Sequence, residues 1–156
     1  REELLQEMRD YGADEVFVFE PGISRSEQLR DVLKGREVKL GLNAVGGESA
    51  MEVAKCLSSD GVLVTYGAMS KQPLEVSNGQ LIYKNLQFIG FNRTKWLRES
   101  DSEDIRNIYS LLINWIIDGD LFVPIEKSYS LNDFRLALNS AMKSSRNGKI
   151  IFDLSK

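Results

Sequence analysis

The sequence predicts an α/β fold: a partial parallel sheet with flanking helices, plus a C-terminal helix and strand that leave it. Three observations predict this. Short runs dense in β-branched and aromatic residues alternate with segments whose apolar residues recur at three and four positions. Two of these runs end on small residues, in Asn43-Ala44-Val45-Gly46-Gly47 and Tyr66-Gly67-Ala68-Met69. After Asn92 the alternation stops, and a polar stretch leads into one long amphipathic segment.

The elements follow in order. A first helix spans about Glu2 to Tyr11, with Leu4, Leu5 and Met8 at helical spacing and Gly12 as its stop. Val16 to Phe19 is a short apolar strand. Ser24 or Ser26 caps a second helix, whose stripe is Leu29, Val32 and Leu33 and whose stop is Gly35. "VKLGLNAVGG" is a strand that runs into two glycines, and "ESAMEVAKCLSSDG" is a helix closing at Gly61. "VLVTYG" is a strand. Pro73 breaks the next stretch, and Ser77 caps a short helix or turn in "SNGQLIYKN". "LQFIGFN" is a further strand. Strands and helices in this alternation make a parallel sheet with right-handed crossovers.

Beyond Asn92, Ile105, Ile108, Leu111, Leu112, Trp115 and Ile116 form the stripe of a long helix that Gly119 ends. Asp101, Glu103 and Asp104 favour its start through the helix dipole. "LFVPIEKSYSL" is extended and, with Pro124 inside, at best an edge strand. Ser130 with Asp133 opens another helix in a near capping box, and "GKIIFDLSK" ends in a short strand. This tail is expected to dock elsewhere and not to be another βαβ step.

Composition narrows the function. The 156 residues are 42% apolar, enough for a core, and carry a net charge of −3. A nucleic-acid binder is expected to show a basic field, so no nucleic-acid partner is expected. No apolar run approaches the roughly 20 residues of a membrane-spanning helix, so no membrane span is expected. There is no histidine and one cysteine, Cys56. That argues against the usual zinc sites and leaves a Ser-His-Asp or Cys-His system without its base in this chain. The chain opens on "REELLQEMRDYGADEV", inside a helix and without a cap or a methionine, which suggests a piece of a longer protein.

In open α/β sheets, ligands lie outside the carboxyl ends of the strands. Three successive tips are therefore candidates: Asn43–Gly47, Tyr66–Met69 and Phe91-Asn92-Arg93. Each alone has an ordinary explanation: Gly-Gly suits any tight turn, Tyr66 a rim aromatic, Arg93 a solvated charge. Together, on one end of one sheet, they point to a cofactor site. The glycine fingerprint G-x-G-x-x-G is absent, so a dinucleotide fold would need its phosphate loop upstream of Arg1.

The stretches "LNAVGGESA", "GVLVTYGAMSKQPLEV", "NLQFIGFNRTKWL" and "FRLALNSAMKSSRNGKIIFDL" resemble the medium-chain dehydrogenase/reductase superfamily. Within it they are similar to the mitochondrial 2-enoyl thioester reductases of fungal type. "TYGAMSKQP" and "GFNRTKW" carry that closer match; "NAVGG" and "GKIIF" are shared more widely. The resemblance implies a partial Rossmann-type sheet, with residues 1–120 in the NADPH-binding domain and 121–156 returning to the catalytic domain. It implies NADPH as cofactor, and enoyl-ACP or enoyl-CoA as substrate reduced at the β-carbon. It implies a mitochondrial location and a homodimer formed through the Asn85–Asn92 edge strand. By the same resemblance the cofactor contacts are Tyr66, Gly67, Ala68, Met69, Phe91, Asn92, Arg93 and Lys149. Gly67 and Ala68 would leave room for the nicotinamide-ribose end, with Tyr66 and Met69 as walls. The family's proton-donating tyrosine is not among these residues, so this chain alone is expected to be inactive. A quinone oxidoreductase of the same superfamily and a non-catalytic dimerisation module remain as alternatives.

Overall fold

The computed structural model describes residues 2–18, 20, 22–24, 26–143 and 146–155. They form two compact units, Arg1–Arg98 and Glu99–Lys156.

In the first unit, α1 (Glu2–Asp10) ends through Gly12, whose N–H donates to the Arg9 carbonyl at 2.9 Å and whose φ is 94°. Val16, Phe17 and Val18 join no sheet, although their composition favours a strand; Phe19, the end of that expected strand, lies outside the described residues. Strand propensity measures how well a residue suits a paired, half-buried surface, and the described residues offer this run no partner strand. Next come α2 (Ser26–Leu33), β1 (Leu40–Asn43), α3 (Gly47–Cys56), β2 (Val62–Thr65), α4 (Asn78–Ile82), β3 (Gln87–Gly90) and α5 (Arg93–Glu99). Ser26 is the first residue of α2, and its hydroxyl lies 3.0 Å from that of Ser24.

The sheet has the order β1-β2-β3, all parallel. Leu40, Val62 and Gln87 lie in register, as do Leu42, Val64 and Ile89 two residues on. Alternation divides the strands between two faces. Gly41 and Leu63 are buried, whereas Leu40, Leu42 and Ile89 are exposed. The buried face packs with α3 through its inward residues Ala50, Met51 and Ala54, spaced as one helix face requires. Leu57, Leu63 and Leu86 complete this core, and Val38, Val53, Leu74 and Phe88 flank it. Leu63 has no exposed surface, and full burial of such a side chain contributes about 2 kcal/mol. The ammonium of Lys84 donates to the carbonyls of Lys55 (3.1 Å) and Leu57 (2.8 Å), satisfying acceptors at the C-terminal end of α3.

The short helix α4 has the cap its sequence predicts. The Ser77 hydroxyl accepts from the Gln80 amide at 3.3 Å, and Gln80 Oε1 accepts from the Ser77 amide at 3.2 Å. Helix α5 is not evident from apolar spacing. It follows an amide side chain: Asn92 Oδ1 accepts from the Lys95 N–H at 3.0 Å, as an N-cap does.

The second unit holds α6 (Ser102–Asp118), β4 (Ile125–Tyr129), a 3-10 turn (Leu131–Asp133), α7 (Phe134–Met142) and β5 (Lys149–Phe152). Glu103 and Asp104 lie in the first turn of α6, and Gly119 ends it at φ 83°. Strands β4 and β5 pair in parallel, joined through α7. The tail is therefore a small βαβ unit, contrary to the sequence expectation. Pro124 stands just before β4, where it needs to donate nothing, and its carbonyl accepts from the Lys149 N–H at 2.7 Å. The Tyr129 and Ser140 hydroxyls, 2.7 Å apart, tie β4 to α7.

Candidate functional site

The β1 tip is built around Asn43, only 3% exposed. Its Oδ1 accepts from the N–H groups of Val45 (3.0 Å) and Gly46 (2.9 Å), closing a tight turn. Its Nδ2 donates to Thr65 Oγ1, 3.1 Å away on β2. The turn passes into α3 through Gly46 and Gly47, with φ values of 86° and 57° that favour glycine.

The β2 tip is laced to this turn. The amide of Tyr66 donates to the Asn43 carbonyl (3.0 Å), that of Met69 to Ala44 (3.1 Å) and that of Ser70 to Val45 (2.9 Å). The Ser70 hydroxyl also donates to the Val45 carbonyl at 2.7 Å. A Cβ on Gly67 would lie 2.7 Å from the Ala44 oxygen and 3.2 Å from its Cα. Glycine is thus required there for two backbones to meet. The β3 tip joins through the Phe91 amide, which donates to the Thr65 carbonyl at 2.9 Å.

The seven candidate contacts of the β2 and β3 tips therefore lie, with the β1 tip, on one hydrogen-bonded rim at the carboxyl ends of the strands. Tyr66, Met69 and Phe91 are 55%, 79% and 47% exposed, so the rim presents apolar groups to the outside. Ala68, Asn92 and Arg93 are exposed and Gly67 half-buried. The side-chain oxygen of Asn92 serves the start of α5. Lys149 is exposed at the start of β5 and belongs to the second unit. Sequence reasoning placed Asn43 at the head of a candidate tip but did not count it among the cofactor contacts. Its signal is a polar residue ending a strand immediately before a small-residue turn.

A cavity of about 1150 Å³ opens in the first unit, lined among others by Leu29, Gly47, Met51, Lys55, Cys56 and Lys84. Tyr66, Met69 and Phe91 are not in its wall. Burial, followed by the charge of Glu52, raises the Cys56 thiol pKa above its ordinary value, while Lys84 and Lys55 act in the opposite sense. A raised pKa keeps the sulfur protonated, which makes it a poor nucleophile.

Comparison with known proteins sets this geometry in a family. The model described as "Zinc-binding dehydrogenase" matches residues 1–114. A mitochondrial enoyl-[acyl-carrier-protein] reductase of Dictyostelium discoideum is 33% identical over 154 residues, 98% of this chain and 43% of that protein. The complex of Etr1p with NADP and crotonyl-CoA superposes with a TM-score of 0.79 at 28% identity, covering 96% of this chain and 43% of that one. The mitochondrial 2-enoyl thioester reductase Etr1p/Etr2p heterodimer from Candida tropicalis gives 0.77 at 26%, with the same coverage. The chain thus spans less than half the length of each of these relatives.

The family description names zinc, but the donor set here does not fit one. The chain has no histidine and one cysteine, and the described residues hold no group of three or more His, Cys, Asp or Glu able to bind a metal. The expected Rossmann-type sheet and the likeness to 2-enoyl thioester reductases stand, and with residues 1–114 matched the chain belongs to the zinc-binding dehydrogenase family.

Proposed function

We propose that this chain is the C-terminal part of an NADPH-dependent trans-2-enoyl thioester reductase of mitochondria, acting on enoyl-ACP or enoyl-CoA. The observation that carries the reading is the convergence of three strand tips into one rim with exposed Tyr66, Met69 and Phe91. A flat ring can lie on such a rim, against backbone and apolar side chains together. Its place outside the carboxyl ends of parallel strands is where such sheets hold nucleotides.

Bound NADPH would supply a hydride for the β-carbon of the enoyl chain. The residues of this chain hold and orient it. Tyr66 and Met69 wall the ring, and Phe91 extends the apolar surface. Gly67 lets the β2 tip close onto Ala44, and Ala68 keeps the rim low. Arg93 and Asn92 offer polar groups for the ribose and phosphates, and a guanidinium meets a phosphate through its fork of donors. Residues 1–120 serve the NADPH-binding domain, and 121–156 return to the catalytic domain. The strand over Asn85–Asn92 contains β3, an outer strand of the described sheet. Its free edge suits pairing with a second copy.

The test uses the native polypeptide that carries this chain, with NADPH oxidation followed against an enoyl-CoA and a quinone. Turnover of the enoyl thioester, with the quinone reduced at least about tenfold less efficiently, supports the reading through differential transition-state binding. Quinone turnover alone replaces it with the oxidoreductase alternative. Binding of a second copy without NADPH binding replaces it with a dimerisation module.

A further inference from the structure

We infer that Asn43 is the positioning residue of this rim, a role that rests on the reading above for the ligand it serves. Asn43 is buried, and only its backbone carbonyl meets the rim directly, accepting the Tyr66 amide at 3.0 Å; its side chain reaches the rim through other residues. It acts through three bonds. Two, to the amides of Val45 and Gly46, fix the direction of the turn after β1. The third, to Thr65 Oγ1, fastens that turn to the strand that carries Tyr66 to Met69.

The bonds it organises reach the rim in one step. With the turn fixed, the carbonyls of Ala44 and Val45 point at the amides of Met69 and Ser70. Met69 is the most exposed of the rim's large apolar residues, and its placement depends on that Ala44 carbonyl. Thr65 also accepts the Phe91 amide through its backbone, so the same residue touches all three tips. The carboxamide suits this place because it both donates and accepts. An aspartate could receive the two amides, and the Thr65 hydroxyl could turn to donate to it, but a buried charge would be costly. A leucine or valine would leave the Val45 amide and the buried Gly46 amide unpaired.

The experiment reads amide hydrogen exchange and NADPH affinity in the native polypeptide, for Asn43→Ala and Thr65→Val. In Asn43→Ala, exchange at Val45 and Gly46 rises, and exchange at Met69 and Ser70 rises about tenfold as the tip bonds loosen. The Kd for NADPH rises about tenfold, the size expected when buried hydrogen bonds go unmade. Thr65→Val keeps the turn and loosens only its anchor, so Met69 and Ser70 exchange rises while Val45 and Gly46 stay protected. Unchanged exchange at Met69 and Ser70 in both variants would overturn the inference. Raised exchange with unchanged NADPH affinity would also overturn it, leaving Asn43 a purely structural residue. If the unsubstituted polypeptide binds no NADPH, the proposed function fails. The exchange pattern then still decides whether Asn43 holds the two tips together.

Discussion

Gly67 meets Ala44 where no side chain could stand: a Cβ on Gly67 would come within 2.7 Å of the Ala44 carbonyl oxygen. That oxygen already accepts the Met69 amide at 3.1 Å, so the contact and the rim share one atom. Replacing Gly67 by valine forces the two tips apart. The expected loss of stability is about 1–3 kcal/mol, the usual range for overpacking. A urea melt measures it, and a parallel NADPH titration should show weaker binding. A variant as stable as the parent would mean that the tips can shift without strain.

Tyr66→Ala separates holding the ligand from holding the fold. Tyr66 is more than half exposed, so its removal should change the melting midpoint little. NADPH binding should weaken by about 0.5–1.5 kcal/mol if the ring loses an aromatic wall. Equal affinity in a fluorescence titration would remove Tyr66 from the site.

Leu63→Ala tests the core. Leu63 has no exposed surface and packs among Met51, Ala54, Leu57 and Leu86. The expected cost is about 2–5 kcal/mol, from lost transfer energy and the cavity left behind. Denaturant unfolding with an unchanged m-value would report it. A cost below about 1 kcal/mol would mean that the core collapses around the gap.

Ser77→Ala removes one half of the α4 capping box. About 1 kcal/mol should be lost, and the Gln80 amide, which donates to both Ser77 Oγ (3.3 Å) and the Ser77 carbonyl (3.1 Å), should exchange faster with only the carbonyl left. Protection at Gln80 equal to the parent's would show that the cap is dispensable.

Cys56 supplies a pH test. Its pKa is raised mainly by burial. Below the ordinary thiol value both the folded and unfolded chains keep the proton, and the stabilising contribution is complete. As pH climbs from the ordinary value through the raised one, the unfolded chain ionises first and that contribution is lost. Alkylation at pH 8.5 should therefore run slower than in the urea-unfolded chain. Equal rates in the two states would show a thiol as open and as acidic as a free one.

The alternation of the first unit was legible because each step writes itself twice, in periodicity and in its stop residue. Val62–Thr65, Ser77 as the cap of α4, and Gly119 after α6 are found where their patterns put them. The misses have a common physical cause, which is partnership across the chain. Val16–Val18 have strand composition, but composition does not supply a neighbouring ladder. Helix α5 has no apolar stripe and takes its start from the Asn92 side chain. The tail reads as separate pieces until the parallel pairing of β4 with β5 makes it one βαβ step. The strand tips themselves were visible as small residues. Asn43 was visible as the first residue of one tip, but its role in joining two of them was not, because an asparagine there reads equally well as an ordinary turn residue.

The Asn43–Thr65 bond also bears on how the strands find their alignment during folding. Side chains alternate with period two, so a slip of β2 by one residue would send Leu63 to the open face and bring a neighbouring residue of β2 onto the α3 side. Valines flank Leu63 in this strand, and the apolar penalty for such an error is partly refunded by whichever one turns inward. A polar pair allows no such substitution: in the slipped register Asn43 meets an apolar side chain and its Nδ2 is stranded. One hydrogen bond thus acts as a proofreader for a hydrophobic sheet that would otherwise tolerate misprints.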